Sequence, residues 1–134
     1  MTGRLEGRVA FISGGGSGIG EATAHRFAEE KATVVICGRR KELLDGVVAA
    51  IRAKGGKAEG VQVDVSNEDQ LVNAINGVAQ RHGHLDILVN NAGINGPVLP
   101  AWDYPVEDWE KVIAIDLNGV FFCTRSVLAH VRAR

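Results

Sequence analysis

Apolar residues fall along this chain in two alternating rhythms. Short runs at 9–12, 33–37, 60–63 and 86–89 are rich in β-branched side chains, and most are apolar at nearly every position. That is the pattern of strands covered by helices on both faces. Between the second and third runs, Leu44, Val47, Val48 and Ile51 stand at i, i+3, i+4 and i+7; Leu71, Ala74, Ile75 and Val78 repeat the spacing before the fourth. Each set predicts a helix with one buried stripe. Gly55-Gly56 stops the first of these helices. Ser66 followed by Asp69 predicts the cap of the second, although Asp is shorter than the usual partner. A helix through Ala22, Phe27 and Ala28 separates the first two strands.

The last segment, 106–131, carries Trp109, Val112, Ile113, Leu117, Val120, Phe121, Leu128 and Val131 on one side, with Ile115 and Phe122 on another. A helix apolar over so much of its circumference is predicted to be covered on more than one side. Strands alternating with helices predict an α/β fold, a doubly wound parallel sheet of about four strands. Residues 1–134 are expected to form one domain, incomplete at its C-terminus. The fourth strand reads as a central one, yet no fifth strand follows, so further chain or another subunit is expected to cover its outer edge.

Composition narrows the class. Of 134 residues, 46% are hydrophobic and 23% charged, the balance of a globular domain with a proper core. A formal net charge of −1, with Lys and Arg dispersed, offers no footprint for a phosphate backbone, so nucleic acid is not an expected partner. No unbroken apolar run of membrane-spanning length and no signal-like leader precedes the first strand, so no membrane is expected and a cytoplasmic location is. Cys37 and Cys123 lie in apolar surroundings and read as buried thiols.

The chemistry begins directly after the first strand, at Ser13-Gly14-Gly15-Gly16-Ser17-Gly18-Ile19-Gly20. Glycines let a backbone turn tightly against a pyrophosphate, and the helix N-terminus that follows supplies N–H donors and a positive dipole end. The spacing is G-x-x-x-G-x-G, not the G-x-G-x-x-G of the best-known dinucleotide-binding turns. Together with Asp64-Val65 after the third strand and Asn90-Asn91-Ala92-Gly93 after the fourth, it resembles the short-chain dehydrogenase/reductase family. The motifs occur in that family's order and spacing along essentially the whole chain.

The resemblance implies a Rossmann-type NAD(P)-binding domain in which Ser13, Gly14, Gly16, Ser17, Gly18, Ile19 and Gly20 form the phosphate turn. It implies that Asp64 accepts from the adenine amino group beside the Val65 backbone, and that Asn91, Ala92 and Gly93 line the ribose side of the crevice. For the cofactor, the second strand ends Cys37-Gly38-Arg39-Arg40. Glycine replaces the acid that would hold adenosine ribose hydroxyls, and two arginines follow, suited to a 2′-phosphate. NADP(H) is therefore favoured over NAD(H), although Ser17 stands where many NADP-using members carry a basic residue.

In the family, hydride passes between nicotinamide and a carbonyl or alcohol carbon while a tyrosine, its pKa lowered by a lysine four residues later, exchanges the proton. Asn118 resembles the asparagine that holds the water of that relay. Tyr104 is the only tyrosine, and residue 108 is Asp, so no Tyr-x-x-x-Lys exists here. The chain alone is expected to bind cofactor poorly and to turn over nothing. Tyr104 and Trp102 are placed near where a small carbonyl or alcohol substrate enters. His82-Gly83-His84 lacks a third metal ligand, and His25 and His130 read as solvated. The resemblance also implies a homo-oligomer joined through the long helix. A non-catalytic nucleotide-binding or dimerisation module is the alternative; a Rossmann methyltransferase is disfavoured because Gly38 replaces the ribose-binding acid.

Overall fold

A computed structural model describes residues 3–133. Four strands, β1 (Val9–Ser13), β2 (Thr33–Gly38), β3 (Lys57–Gln62) and β4 (Ile87–Val89), form one sheet in the order β3-β2-β1-β4. Every neighbouring pair is parallel. Because β1 has β2 on one side and β4 on the other, the crossovers leave it in opposite directions. A crevice therefore opens where the carboxyl ends of β1 and β4 part, the position at which such sheets bind ligands.

Pleating divides the core in two. Val9 and Phe11 of β1 and Val35 and Cys37 of β2 face one side, where Leu71, Ile75 and Val78 of α3 (Glu68–His82) pack with Cys123 and Val127 of α5 (Gly119–Arg132). Ile12, Val34 and Ile36 face the other, against Ala24 of α1 (Gly18–Glu29) and Leu44, Val47 and Ile51 of α2 (Lys41–Ala53). The stripes expected on α2 and α3 are thus the buried faces. Strands β1 and β2 are buried on both sides, which is why they read as continuous apolar runs.

Two expectations need correction here. The third strand begins at Lys57 and ends at Gln62, rather than covering 60–63. Among the described residues it pairs only with β2, so as an edge strand it can carry Lys57, Glu59 and Gln62, which mask it in an apolar scan. The cap of α3 is Asn67, whose Oδ1 accepts from the Gln70 N–H at 3.1 Å; the Ser66 hydroxyl donates to Asp64 instead, at 2.7 Å.

A third concerns the long C-terminal helix, which is not uniform. It runs as α4 (Val106–Ile113), a π-helical segment Ala114–Asn118 and then α5. A π segment inserts extra backbone into a turn and so resets which side chains face the core. Ile115, Cys123 and Val127 are buried, whereas Val106, Trp109, Leu117, Phe121 and Leu128 remain exposed. By length and composition Val106–Arg132 could cross a membrane. Its buried residues belong to the same core as the sheet and α3, as in the core helix of a globular domain.

Candidate functional site

The turn from β1 into α1 is fixed from both sides. The Gly14 and Gly15 amides donate to the Cys37 carbonyl at 2.9 and 3.3 Å, tying the turn to β2. On the other side the buried Ser13 hydroxyl accepts from the Asn91 and Ala92 amides, at 3.0 and 3.1 Å, and donates to the Val89 carbonyl at 3.4 Å. The Asn91 side-chain amide returns to the Gly14 carbonyl at 3.0 Å. The parting ends of β1 and β4 are therefore stitched together below the crevice. A Cβ on Gly20 would fall on the Gly14 carbonyl oxygen and 2.5 Å from Asn91 Nδ2, so only glycine lets the helix start this close.

Helix α1 opens without a side-chain cap. Ser17, its N-cap, is extended, and its hydroxyl bonds no backbone amide of the first turn. Those amides, with the positive end of the helix dipole, are the groups that receive an anion at such a position. Ser17, Gly18 and Ile19 are all exposed there.

A cleft of about 240 Å³ lies over this turn. Gly14, Gly16 and Ser17 form its floor, Arg39 and Arg40 one rim, Asp64 and Val65 the far wall, and Asn91, Ala92 and Gly93 the β4 side. Ten of the expected cofactor residues thus converge. Gly18 and Ile19 stand just outside, at the start of α1, and Gly20 is packed behind the turn. Ser13 lies beneath it, with its hydroxyl committed to backbone groups rather than facing the cleft.

The apolar walls are not marked in the sequence. Leu43, Leu44, Ile94 and Ile115 also line the cleft. The helical stripe of α2 accounts for Leu44 as a core residue only, and nothing in the periodicity of the last helix indicates that Ile115 turns toward β4. Asn118, the asparagine expected from the resemblance, is exposed in the π segment and does not line the cleft. The side chain that reaches the switch point from that segment is Asp116, whose Oδ1 accepts from the Ile94 amide at 2.8 Å. It also lies against Gly93, where a Cβ would meet Oδ1 at 3.4 Å.

Asp64 is a charged acceptor on the far wall. Burial pushes its carboxyl up, but the Ser66 hydroxyl and amide and the positive charges of Arg39 and Lys111 together hold it below the usual value. It is therefore ionised at neutral pH and able to accept from an amino group. The thiols offer no nucleophile. Burial and the nearby Cys123 push Cys37 far up, and burial pushes Cys123 up to about 11. His82 is committed to Glu59, and His84 to the Gly7 carbonyl and Asp86.

Comparison with known proteins completes the assignment. The family model described as short chain dehydrogenase matches residues 8–134. The chain belongs to the short-chain dehydrogenase family. Among curated members, a 3beta-hydroxysteroid dehydrogenase of Mediterraneibacter gnavus is 42% identical over 125 residues, covering 93% of this chain and 45% of the relative. Among solved members, a metagenomic short-chain oxidoreductase in complex with NADP superposes with a TM-score of 0.93 at 34% identity, over 96% of this chain and 58% of its own. An NAD⁺-bound xylitol dehydrogenase superposes with a TM-score of 0.94 at 32% identity, over 97% and 50%. The chain spans about half the length of the curated relatives it matches.

The residues around the turn fit the dinucleotide that the short-chain dehydrogenase family binds. The cradle exists only because Gly20 has no side chain, the α1 amides above it are uncapped, and an ionised acceptor and two arginines stand around one cleft. The cleft is smaller than the roughly 300–1,000 Å³ of complete small-molecule sites.

Proposed function

We propose that this chain is the cofactor-binding half of an NADP(H)-dependent oxidoreductase that reduces a small carbonyl compound or oxidises the matching alcohol. The observation that carries the reading is the uncapped start of α1, set over a glycine-only turn and facing a cleft with Arg39 and Arg40 on its rim. The α1 amides would receive the diphosphate, Asp64 the adenine amino group, and the arginines the 2′-phosphate. When bound, the dinucleotide supplies or takes up the hydride. Asn91, Ala92 and Gly93 would position its ribose at the switch point.

Solved relatives hold NADP in one case and NAD⁺ in another, so the choice rests on this chain's own rim. Gly38 offers no carboxylate to ribose hydroxyls, while Arg39 and Arg40 are exposed and available to a phosphate. The relay water would be held from the π segment. Asn118 is the candidate drawn from the resemblance; the geometry favours Asp116, which already meets the switch-point backbone. A cytoplasmic location and a homo-oligomer belong to the same proposal.

Tyr104 is followed at 108 by Asp and is the one tyrosine among the 134 residues, so these residues carry no Tyr-x-x-x-Lys. A second reading, a non-catalytic nucleotide-binding or dimerisation module, is favoured by the exposed apolar side chains Leu117, Phe121 and Leu128. Titration of the chain with NADPH and NADH tests the first reading: NADPH should bind at least about tenfold tighter, the worth of one charge-assisted phosphate contact, and Arg39→Ala should sharply reduce the difference, Arg39→Ala with Arg40→Ala abolishing it. Equal affinity in the native chain would overturn the cofactor assignment. Steady NADPH oxidation with carbonyl substrates by this chain would contradict the assignment of proton exchange to residues it lacks.

A further inference from the structure

The turn that presents Arg39 and Arg40 has no side-chain cap of its own. Arg40 is the N-cap of α2, its backbone is extended, and its side chain caps nothing. Helices commonly stiffen such an entry with a capping side chain, and here the stiffening comes from the neighbouring strand. Gly38 is paired with Gln62 at the end of the β2–β3 ladder, and its carbonyl accepts from the Val63 amide at 2.9 Å. One residue further on, the Gln62 side-chain amide donates to the Arg39 carbonyl at 3.0 Å.

We propose that Gln62 is a positioning residue for cofactor selection: by holding the Arg39 carbonyl, it sets the direction in which the Arg39 side chain leaves β2 toward the 2′-phosphate. The inference deepens the NADP(H) reading and rests on it. Gln62 does not line the main cleft; it lines a shallow groove beside it that shares Arg39, Val63 and Asp64. Its side chain is exposed and holds no part of either core cluster. Its contribution is therefore to the orientation of one arginine and not to the fold. A 2′-phosphate is the one group that separates the two dinucleotides, so the effect falls on NADPH alone.

The test is a double-mutant cycle on the 134-residue chain, with NADPH and NADH as probes and their fluorescence on binding as the signal. Gln62→Ala should lower the ratio of NADPH to NADH affinity by about three- to tenfold, the range of one lost hydrogen bond, with NADH affinity unchanged. Gln62→Glu keeps the shape but cannot donate to a carbonyl and adds a charge that repels phosphate, so its loss should be larger. In an Arg39→Ala background, Gln62→Ala should have no further effect. An unchanged ratio in Gln62→Ala while Arg39→Ala collapses it would overturn the positioning role and leave the NADP(H) reading standing. So would an equal loss in both backgrounds, because Gln62 would then act without Arg39. If the native chain binds both dinucleotides equally, the NADP(H) reading falls and the inference with it.

Discussion

Two glycines of the nucleotide turn look alike in sequence and differ in what they exclude. Gly20 is closed in by the Gly14 carbonyl and Asn91, whereas a methyl group added at Gly18 would meet nothing within 4 Å, and that residue is constrained only by its φ of +56°. Gly20→Ala must push the start of α1 away from Gly14 and Asn91, an overpacking cost of about 3 kcal/mol. Gly18→Ala carries only left-handed backbone strain, about 1–2 kcal/mol. Urea midpoints at constant slope give both values, and Gly18→Ala proving the more damaging would mean the turn is packed differently. Glu30 makes a prediction about pH. Its side chain is 3% exposed and accepts from the Arg4 amide and guanidinium and from Arg26. The Arg4 amide and guanidinium bonds hold its carboxyl below the ordinary 4.5; burial opposes them, and the Arg4 and Arg26 charges assist. A depressed folded-state value adds stability above the unfolded value and loses it as pH falls through the folded one. Native chain should therefore exceed Glu30→Gln in stability near neutral pH, with the gap closing as pH drops below about 4.5. A gap that stays constant down to the acid limit would show that Glu30 is not held ionised by these partners.

Among the elements, α3 shows how a local signal can be read one residue out of place. Ser66 and Asn67 are both competent caps, and sequence spacing alone cannot choose between them. Asp64 decides, because it takes the Ser66 hydroxyl and amide at 2.7 and 2.9 Å and leaves Asn67 to the Gln70 amide. Asn67→Ala should cost about 1 kcal/mol of stability, while Ser66→Ala should act mainly on nucleotide binding, through the freed Asp64. Chemical denaturation of both variants separates the two roles, and equal destabilisation would contradict the assignment. The same reasoning explains what is legible in the sequence. Strands β1 and β2, and helices α2 and α3, are set by their own periodicity against a two-sided core, so their residues announce them. The polar β3 edge hides among Lys57, Glu59 and Gln62 because it has one neighbour and less to bury. In the candidate site, the convergence of Gly14, Gly16, Asp64, Asn91 and the arginines on one cleft is legible because backbone shape and charge at strand ends mark their positions. The π segment is not: it brings Asp116 onto Ile94, twenty-two residues away in sequence, and no helical period encodes that contact.

At the scale of the molecule, the apolar surface outside the core is unevenly distributed. Leu117, Phe121 and Leu128 are exposed by 61, 58 and 49% on the π segment and α5, and Trp109 by 60% on α4. A large contiguous apolar patch marks an interaction site, and these four side chains on one helical segment are the candidates for forming one. Strand β4 adds a second open surface, since among the described residues its one partner in the sheet is β1. The helix face and the strand edge predict different assemblies. A helix face pairing with its own copy closes as a two-fold dimer, whereas an open strand edge can keep adding copies. Sedimentation at micromolar concentration should therefore give a dimer that Phe121→Glu or Leu117→Glu converts to a folded monomer, with the melting temperature falling only by the concentration-dependent part that association supplies, because both side chains lie outside the core. Association that survives both substitutions and grows with concentration would place the contact on the β4 edge instead. A monomeric native chain would leave the helix face free, and the homo-oligomer would have to be given up.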